Sequence, residues 1–428
     1  MKVLYITQNT VFKSSTLNST QLPSTQKVSV SQGQSLPIHS ATRRGNHYLV
    51  QLQQNLPPVG SVGYFYAEHV RVEDSITSQL PALKSRGVWL TNVDSEVLFS
   101  RERIEAAVQQ LAELNIDTIY PVVWNRGYTL YPSRVAEQVI GVSTAPQPHF
   151  QQRDMLAELL QAAKAHKMRV IPWFEYGLMA PPNSLLAYQH PEWLTQKADG
   201  YRLQDQMVWL NPNHPDVIQF ITSLIQEVVH GYDIDGIQLD DHFGMPVELG
   251  YDDLTKALYR QKTGEEPPTQ HTDSRWMDWR ISQITELMHQ IFHAVKAVKP
   301  RCLVSLSPNP QSYSVSHYLA DWQTWERIGL VEELVIQLYR DNLSDFEAEL
   351  LKPEMVAARQ HIPVSIGILS GVKPHPVSLN QIEQQVTTAR KHSYAGVSFF
   401  FYETLIHQTL NPIATGDRKP AQLKKLFA

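Results

Sequence analysis

One cysteine, Cys302, serves the whole 428-residue chain, which excludes an intrachain disulfide and any cysteine-built zinc cluster. It opens an apolar stretch and reads as inert core. Charged residues make up only 18% of the chain, no basic tract stands out and the formal net charge is −5, so nucleic acid and anionic membrane are not expected partners. No segment approaches the ~20 apolar residues of a membrane span. The N-terminus, Met1-Lys-Val-Leu-Tyr-Ile-Thr-Gln-Asn9, has no apolar stretch of signal-peptide length. As written the chain is expected to be cytoplasmic, and periplasmic or extracellular if a leader precedes it.

Chemical motifs are missing too. There is no His-Glu-x-x-His zinc pair, no Gly-x-Ser-x-Gly nucleophile elbow and no glycine-rich phosphate turn after a strand. His375, in the loop after the seventh apolar strand, reads as solvent-exposed. Neither a metal nor a cofactor is expected. Apolar residues reach 42%, enough for one large core and a small extra domain.

Residues 1–78 are rich in Ser, Thr and Gln, with alternating stretches at 27–30, 47–52 and 62–67 separated by turn residues. That pattern predicts a small all-β barrel or sandwich. From about residue 84 to 428 an α/β pattern takes over, an apolar strand followed by an amphipathic helix, eight times. The predicted strands are 87–93, 117–124, 169–176, 234–240, 302–308, 334–339, 364–369 and 396–402. Helix 101–115 carries Ile104, Ala107, Val108, Leu111 and Leu114 on one stripe, and helix 215–231 opens on Pro215. Ser378 with Gln381 forms a capping box for the seventh helix. Helix-to-strand turns are tight, whereas the loops after the second, third and fourth strands exceed twenty residues. Eight such units with long loops on one face predict a (β/α)8 TIM barrel whose site lies at the carboxyl ends of the strands. An open doubly wound sheet is the alternative.

Strand parity then nominates residues, because alternate side chains point to opposite faces. In Ile234 to Asp240, Ile237 and Leu239 share one face while Gln238 and Asp240 share the other, and Asp241 follows. An Asp pair at a strand end can merely cap the next element, which is the competing account. The third strand offers Trp173 and Glu175, the fifth Ser305, Ser307 and Asn309, and the sixth Gln337, Tyr339 and Asp341. The eighth offers Tyr402 or Glu403, the second Trp124, Asn125 and Arg126, and the first Trp89, Asn92 and Asp94. Carboxyls, amides and aromatic rings at one mouth suit a sugar, since glycosidic cleavage uses one carboxyl to protonate the leaving oxygen and another to attack or activate water. Asp240 is the expected principal carboxylate, Asp241 its orienting neighbour, and Glu175, Asp341 or Glu403 the acid. Trp209, Asn211 and His242 join the expected substrate contacts; His214 also flanks the presumed mouth. For each tryptophan ordinary burial is the competing account, and Trp276 and Trp279 read as helix packing.

Five motifs in order, Gly87-Val-Trp-Leu-Thr91, Val170-Ile-Pro-Trp-Phe-Glu175, Trp209-Leu-Asn-Pro-Asn213, Tyr232-Asp-Ile-Asp-Gly-Ile-Gln-Leu-Asp-Asp241 and Ser305-Leu-Ser-Pro-Asn309, resemble glycosyl-hydrolase-like family ten, over roughly residues 84–420. The resemblance implies a TIM barrel that hydrolyses an O-glycosidic bond of a bacterial glycan, peptidoglycan-type first. It places the family's Asp-Asp on Asp240 and Asp241, its aromatic-Asn-Pro run on Trp209, Asn211 and Pro212, and its Gln-x-Tyr on Gln337 and Tyr339. Many members carry an Asn-type residue where this chain has Glu175, and Arg340-Asp341 is not a family constant. Separately, Gln8-Asn-Thr-Val-Phe-Lys13 and Gln21-Leu-Pro-Ser-Thr-Gln-Lys-Val28 resemble the SH3-like modules of bacterial cell-wall hydrolases. The alternative functions are a glycan-binding barrel without catalysis and a cell-wall-associated interaction protein.

Overall fold

A computed structural model of the chain describes residues 2–74, 85–373 and 375–410. It divides into two compact units, Met1–Leu80 with the short segment Thr324–Leu330, and Pro81–Gln323 with Val331–Ala428. The expected boundary at 78–84 and the end of the barrel region beyond 410 lie outside the described residues.

The N-terminal unit is all β. Seven strands, Lys2–Ile6, Thr10–Lys13, Lys27–Val30, Ser35–Arg44, His47–Leu56, Gly60–Tyr66 and Val70–Asp74, form one sheet. Its pairings are antiparallel, and the order runs third, second, sixth, fifth, fourth, first, seventh. Alternation sends Phe12, Val50, Leu52 and Phe65 into a core with Leu4, Ile6 and Ile38. Phe12 and Phe65 meet at 4.8 Å between ring centroids. Gly63 is required there, because a Cβ would lie 2.7 Å from Phe12 Cζ.

The second unit is a parallel β/α barrel. Its eight strands are Ser85–Leu90, Thr118–Pro121, an interrupted third made of Arg169–Val170 and Trp173–Phe174, Gly236–Asp240, Leu303–Ser307, Glu333–Gln337, Val364–Leu369 and Gly396–Phe400. The first half of the third strand pairs with the second strand, and its other half pairs with the fourth. The eighth pairs with the first, so the ring closes. Pro172, which lacks an N–H, sits at the interruption and still accepts from Gln238 N at 2.8 Å. The open doubly wound sheet is thereby excluded.

Helices form where the sequence stripe foretold them. Arg101–Glu113 starts on Ser100, whose Oγ accepts from Arg103 N at 3.3 Å, and buries Ile104, Ala107, Val108 and Leu111. Pro215–Gly231 buries Val217, Phe220, Ile221, Leu224 and Val228. Ser378 caps Leu379–Lys391 by accepting from Gln381 N, but the capping box is half made: Gln381 Nε2 donates to Arg340 O at 3.1 Å instead. Trp276 and Trp279 are buried with Tyr251 and Tyr259, as packing residues. Cys302 is buried, and burial raises its thiol to about 11. No helix among the described residues is long and apolar enough to cross a membrane.

Candidate active site

The barrel interior is polar along its axis. Trp89 Nε1 donates to Gln238 Oε1 at 2.7 Å, and Gln238 Nε2 donates to Ser305 Oγ at 3.1 Å. Gln238 therefore points inward, which fixes the parity of the fourth strand and aims Asp240 at the same axis. Trp173 pairs with Gln238 and Phe174 with Leu239, so one residue further Glu175 stands level with Asp240. On the other side Asp240 pairs with Ser307.

Asp240 is only 4% exposed. Its Oδ1 accepts from Gln337 Nε2 at 2.8 Å, and Gln337 also reaches Ser307 O at 3.0 Å and Ser307 Oγ at 3.1 Å. Asp241 Oδ2 accepts from Asn309 Nδ2. Glu175 Oε2 accepts from Asn125 Nδ2. His242 Nδ1 donates to Glu175 O at 2.9 Å and lies 3.3 Å from Asp241 Oδ1 and 3.7 Å from Asp240 Oδ2. Two carboxyls and the Glu175 carbonyl thus surround one imidazole at the ends of the third and fourth strands, with the Glu175 carboxyl near enough to feel the charges of Asp240 and His242.

Their protonation follows from burial and mutual charge. Burial first, then the neighbouring Asp240, raises Glu175 to about 8, against the pull of His242, Asn125 and Arg126. Burial and Asp241 raise Asp240 to about 7, held down by His242. Burial opposes a charged His242, but Asp241 and Asp240 outweigh it and raise the imidazole to about 10. Asp240, Asp241 and His242 each present a ligand-type atom within 4.8 Å of the others, a spacing that a divalent cation could use. His242 Nδ1 is engaged with the Glu175 carbonyl, and the neighbouring carboxylates favour the protonated imidazole.

Aromatic groups wall this cluster. Trp209 lies 5.8 Å and Tyr176 6.1 Å from the His242 ring, and Tyr318 lies 5.9 Å from Trp209. Trp173 Nε1 and Trp209 Nε1 are buried without a hydrogen-bond partner, as are Asn92 Oδ1 and Asn125 Oδ1. The half-buried Tyr339 keeps its proton, since burial and the charges of Asp240, Asp241 and Glu175 all oppose phenolate. Arg126 adopts a left-handed backbone, φ 52°, beside Tyr176 and Glu175.

Other expected residues go elsewhere. Trp124 is fully buried, its Nε1 donating to Gly177 O at 3.0 Å and its ring edge-on to Phe220 at 5.6 Å, so it packs behind the wall. Asn211 is buried in a loop network, donating to Asp252 Oδ1 at 2.7 Å and Thr255 Oγ1 at 3.1 Å. Tyr402 points away from the mouth, its hydroxyl donating to Gln110 on the first helix at 2.7 Å. Glu403 Oε1 accepts from Ser95 Oγ at 2.9 Å, in the loop after the first strand. Asp341 is exposed four residues beyond the end of its strand, and among the described residues it makes no hydrogen bond or ion pair with the cluster. His214 caps helix Pro215–Gly231 by accepting from Asp216 N at 3.2 Å. Sequence reasoning missed Tyr176 and Tyr318. Tyr318 ends helix Gln311–Tyr318, where no spacing rule points at a mouth.

A closed parallel barrel with clustered, largely shielded carboxyls at the carboxyl ends of its strands has the architecture of many sugar-cleaving enzymes. Residues 84–388 match the family described as Glycosyl hydrolase-like 10, and the chain belongs to that family. Its relatives include the glycosyl hydrolase DigH of Escherichia coli K12, 25% identical over 335 residues and covering 65% of this chain and 72% of that protein. The glycosyl hydrolase YngK of Bacillus subtilis strain 168 is 30% identical over 122 residues, 28% of this chain and 21% of YngK. Among solved structures, the PgaB (BpsB) glycoside hydrolase domain from Bordetella bronchiseptica superposes with a TM-score of 0.60 at 14% identity, covering 81% of this chain and 99% of that domain. The catalytic domain of β-amylase from Paenibacillus polymyxa gives 0.54 at 11% identity, over 80% and 97%. These two likenesses are of fold.

Proposed function

We propose that the barrel hydrolyses O-glycosidic bonds of a bacterial glycan, peptidoglycan-type first, with Glu175 as general acid and Asp240 as base or nucleophile. The observation that carries this reading is the buried Asp240 with the half-buried Glu175 level with it on the adjacent strand end, Glu175 raised to about 8 and Asp240 to about 7. A glycosidase needs one carboxyl that keeps its proton at working pH and one that gives it up. The Gln337 hydrogen bond and the His242 imidazolium favour the ionised form of Asp240. Asp241 contacts a sugar hydroxyl or orients Asp240 from its Asn309 anchor. The half-buried Tyr339 and Tyr318 supply apolar faces for pyranose rings, with Trp173 and Trp209 packed behind them, and Asn92 and Arg126 supply polar partners, with Asn125 holding Glu175. The seven-stranded antiparallel unit supports the reading of residues 1–78 as an SH3-like module appended to this barrel.

Purified protein incubated with intact and with peptide-stripped glycan strands, followed by mass spectrometry, tests the proposal. Release of saccharides by wild type, lost in Glu175→Gln and Asp240→Asn, supports it. Equal background in all three, with glycan affinity retained, makes the barrel a binding protein.

A further inference from the structure

Lys13 is the outlier of the N-terminal unit. It follows the core residue Phe12, so alternation turns it to the opposite face of the sheet, where it pairs in register with Tyr64. A lysine on an outer face is ordinarily solvated, yet Lys13 is 6% exposed. The loop after its strand covers it, and Nζ donates to Leu17 O at 2.6 Å, a neutral acceptor.

Beside it is a cavity of about 540 Å³, lined by Lys13, Thr10, Asn18, His47, Tyr66 and His69 among others. His47 and Tyr66 face each other across adjacent strands, and the Tyr66 ring meets His47 edge-on at 5.6 Å and His69 at 4.9 Å. His47 Nε2 is buried without a hydrogen-bond partner, whereas His69 Nδ1 is held by Thr10 Oγ1 at 3.3 Å. No aspartate or glutamate is among the described residues lining the cavity. Burial lowers the Lys13 ammonium; burial and then the Lys13 charge lower His47. A buried cation without a counter-charge, next to an unsatisfied imidazole nitrogen, lacks an anion.

We propose that this cavity binds a small carboxylate ligand, one oxygen on Lys13 Nζ and the other on a donor of the exposed lining, the Asn18 amide. Two oxygens on one carbon fit two donors on one face. The remaining lining, hydroxyls and amides beside the Tyr66 ring, suits a body the size of a dipeptide or one sugar acid, and the volume is within the range of ligand pockets. The inference concerns the N-terminal unit alone and does not rest on the barrel chemistry.

Calorimetric titration of the full chain with alanyl-alanine, alanyl-alaninamide and glucuronic acid tests it. At least one of the two acids should bind, and whichever binds identifies the source of the carboxylate. The amide should bind at least about tenfold more weakly than the dipeptide if the dipeptide is the ligand, the effect of one charge-assisted hydrogen bond. Lys13→Met should abolish binding. Because that side chain is buried, Asn18→Asp serves as the second variant: Asp preserves the acceptor that caps the turn at Thr20 N and places a negative charge on the lining. It should weaken acid binding about threefold or more, with an unchanged circular dichroism spectrum. Binding of neither acid, equal binding of dipeptide and amide, or acid binding indifferent to Asn18→Asp overturns the proposal.

Discussion

Gln337 Nε2 donates to Asp240 Oδ1 at 2.8 Å, from the end of the sixth strand to the end of the fourth. The same amide is tied to Ser307 on the strand between them, so it cannot swing away without losing three contacts. A donor fixed on a carboxylate favours its ionised form. Gln337→Met keeps the volume and removes the donor, so the pKa of Asp240 should rise further. The acidic limb of the rate profile should shift upward, and kcat at pH 7 should fall by roughly ten- to a hundredfold. A pH–rate series on wild type and variant measures both; an unshifted limb removes Gln337 from the role.

The wild-type profile itself should be a narrow bell. Asp240 must be ionised, so activity rises with pH through about 7; Glu175 must be protonated, so activity falls as pH passes about 8. Replacing Glu175 by Gln should remove the alkaline limb along with most of the rate. A plateau extending well above pH 9 would speak against Glu175 as the acid.

Glu175 should also lower stability at alkaline pH. Its folded pKa lies above the unfolded carboxyl value near 4.3, so between the two the folded chain binds more protons than the unfolded one. Stability from this group is therefore present at low pH and lost as pH rises toward 8. Glu175→Gln should raise Tm relative to wild type at pH 8 and much less at pH 5. Scanning calorimetry at both values checks it, and a Tm gain independent of pH would trace to packing instead.

How far the sequence foretold this site depends on where the strands are regular. Parity worked for Gln238, Asp240, Ser305, Ser307 and Gln337, because those residues lie within strands whose pairing continues up to them. It stopped where pairing stops. The sixth strand ends at Gln337, so Asp341 escapes the alternation, and the eighth ends at Phe400, after which a helix carries Tyr402 toward Gln110. Trp124 and Asn211 have binding-site chemistry, but their partners, Gly177 and Asp252, lie 53 and 41 residues away, a pairing no local pattern announces. The barrel was legible because eight apolar strands alternate with striped helices; the wall made by Tyr318 and Trp209 comes from a short helix and a two-residue strand inserted after barrel strands, too short to show a period.

That distinction between wall and scaffold yields the sharpest contrast among variants. Asn211→Ala leaves the buried Asp252 short of a donor and Asn213 N without its acceptor, a change expected to cost about 1–3 kcal/mol of stability. Since Asn211 has no hydrogen bond to Glu175, Asp240 or Asp241 among the described residues, kcat of the folded fraction should stay within about twofold of wild type. Asn309→Ala is the opposite case. It strips Asp241 of a donor at the mouth itself, so it should cut kcat at least about tenfold while moving Tm little. Denaturation midpoints and initial rates measured on both variants decide between the roles. Were Asn211→Ala to lose activity with its midpoint unchanged, the residue would belong to the mouth after all, and the loop network around Asp252 would have to open onto it.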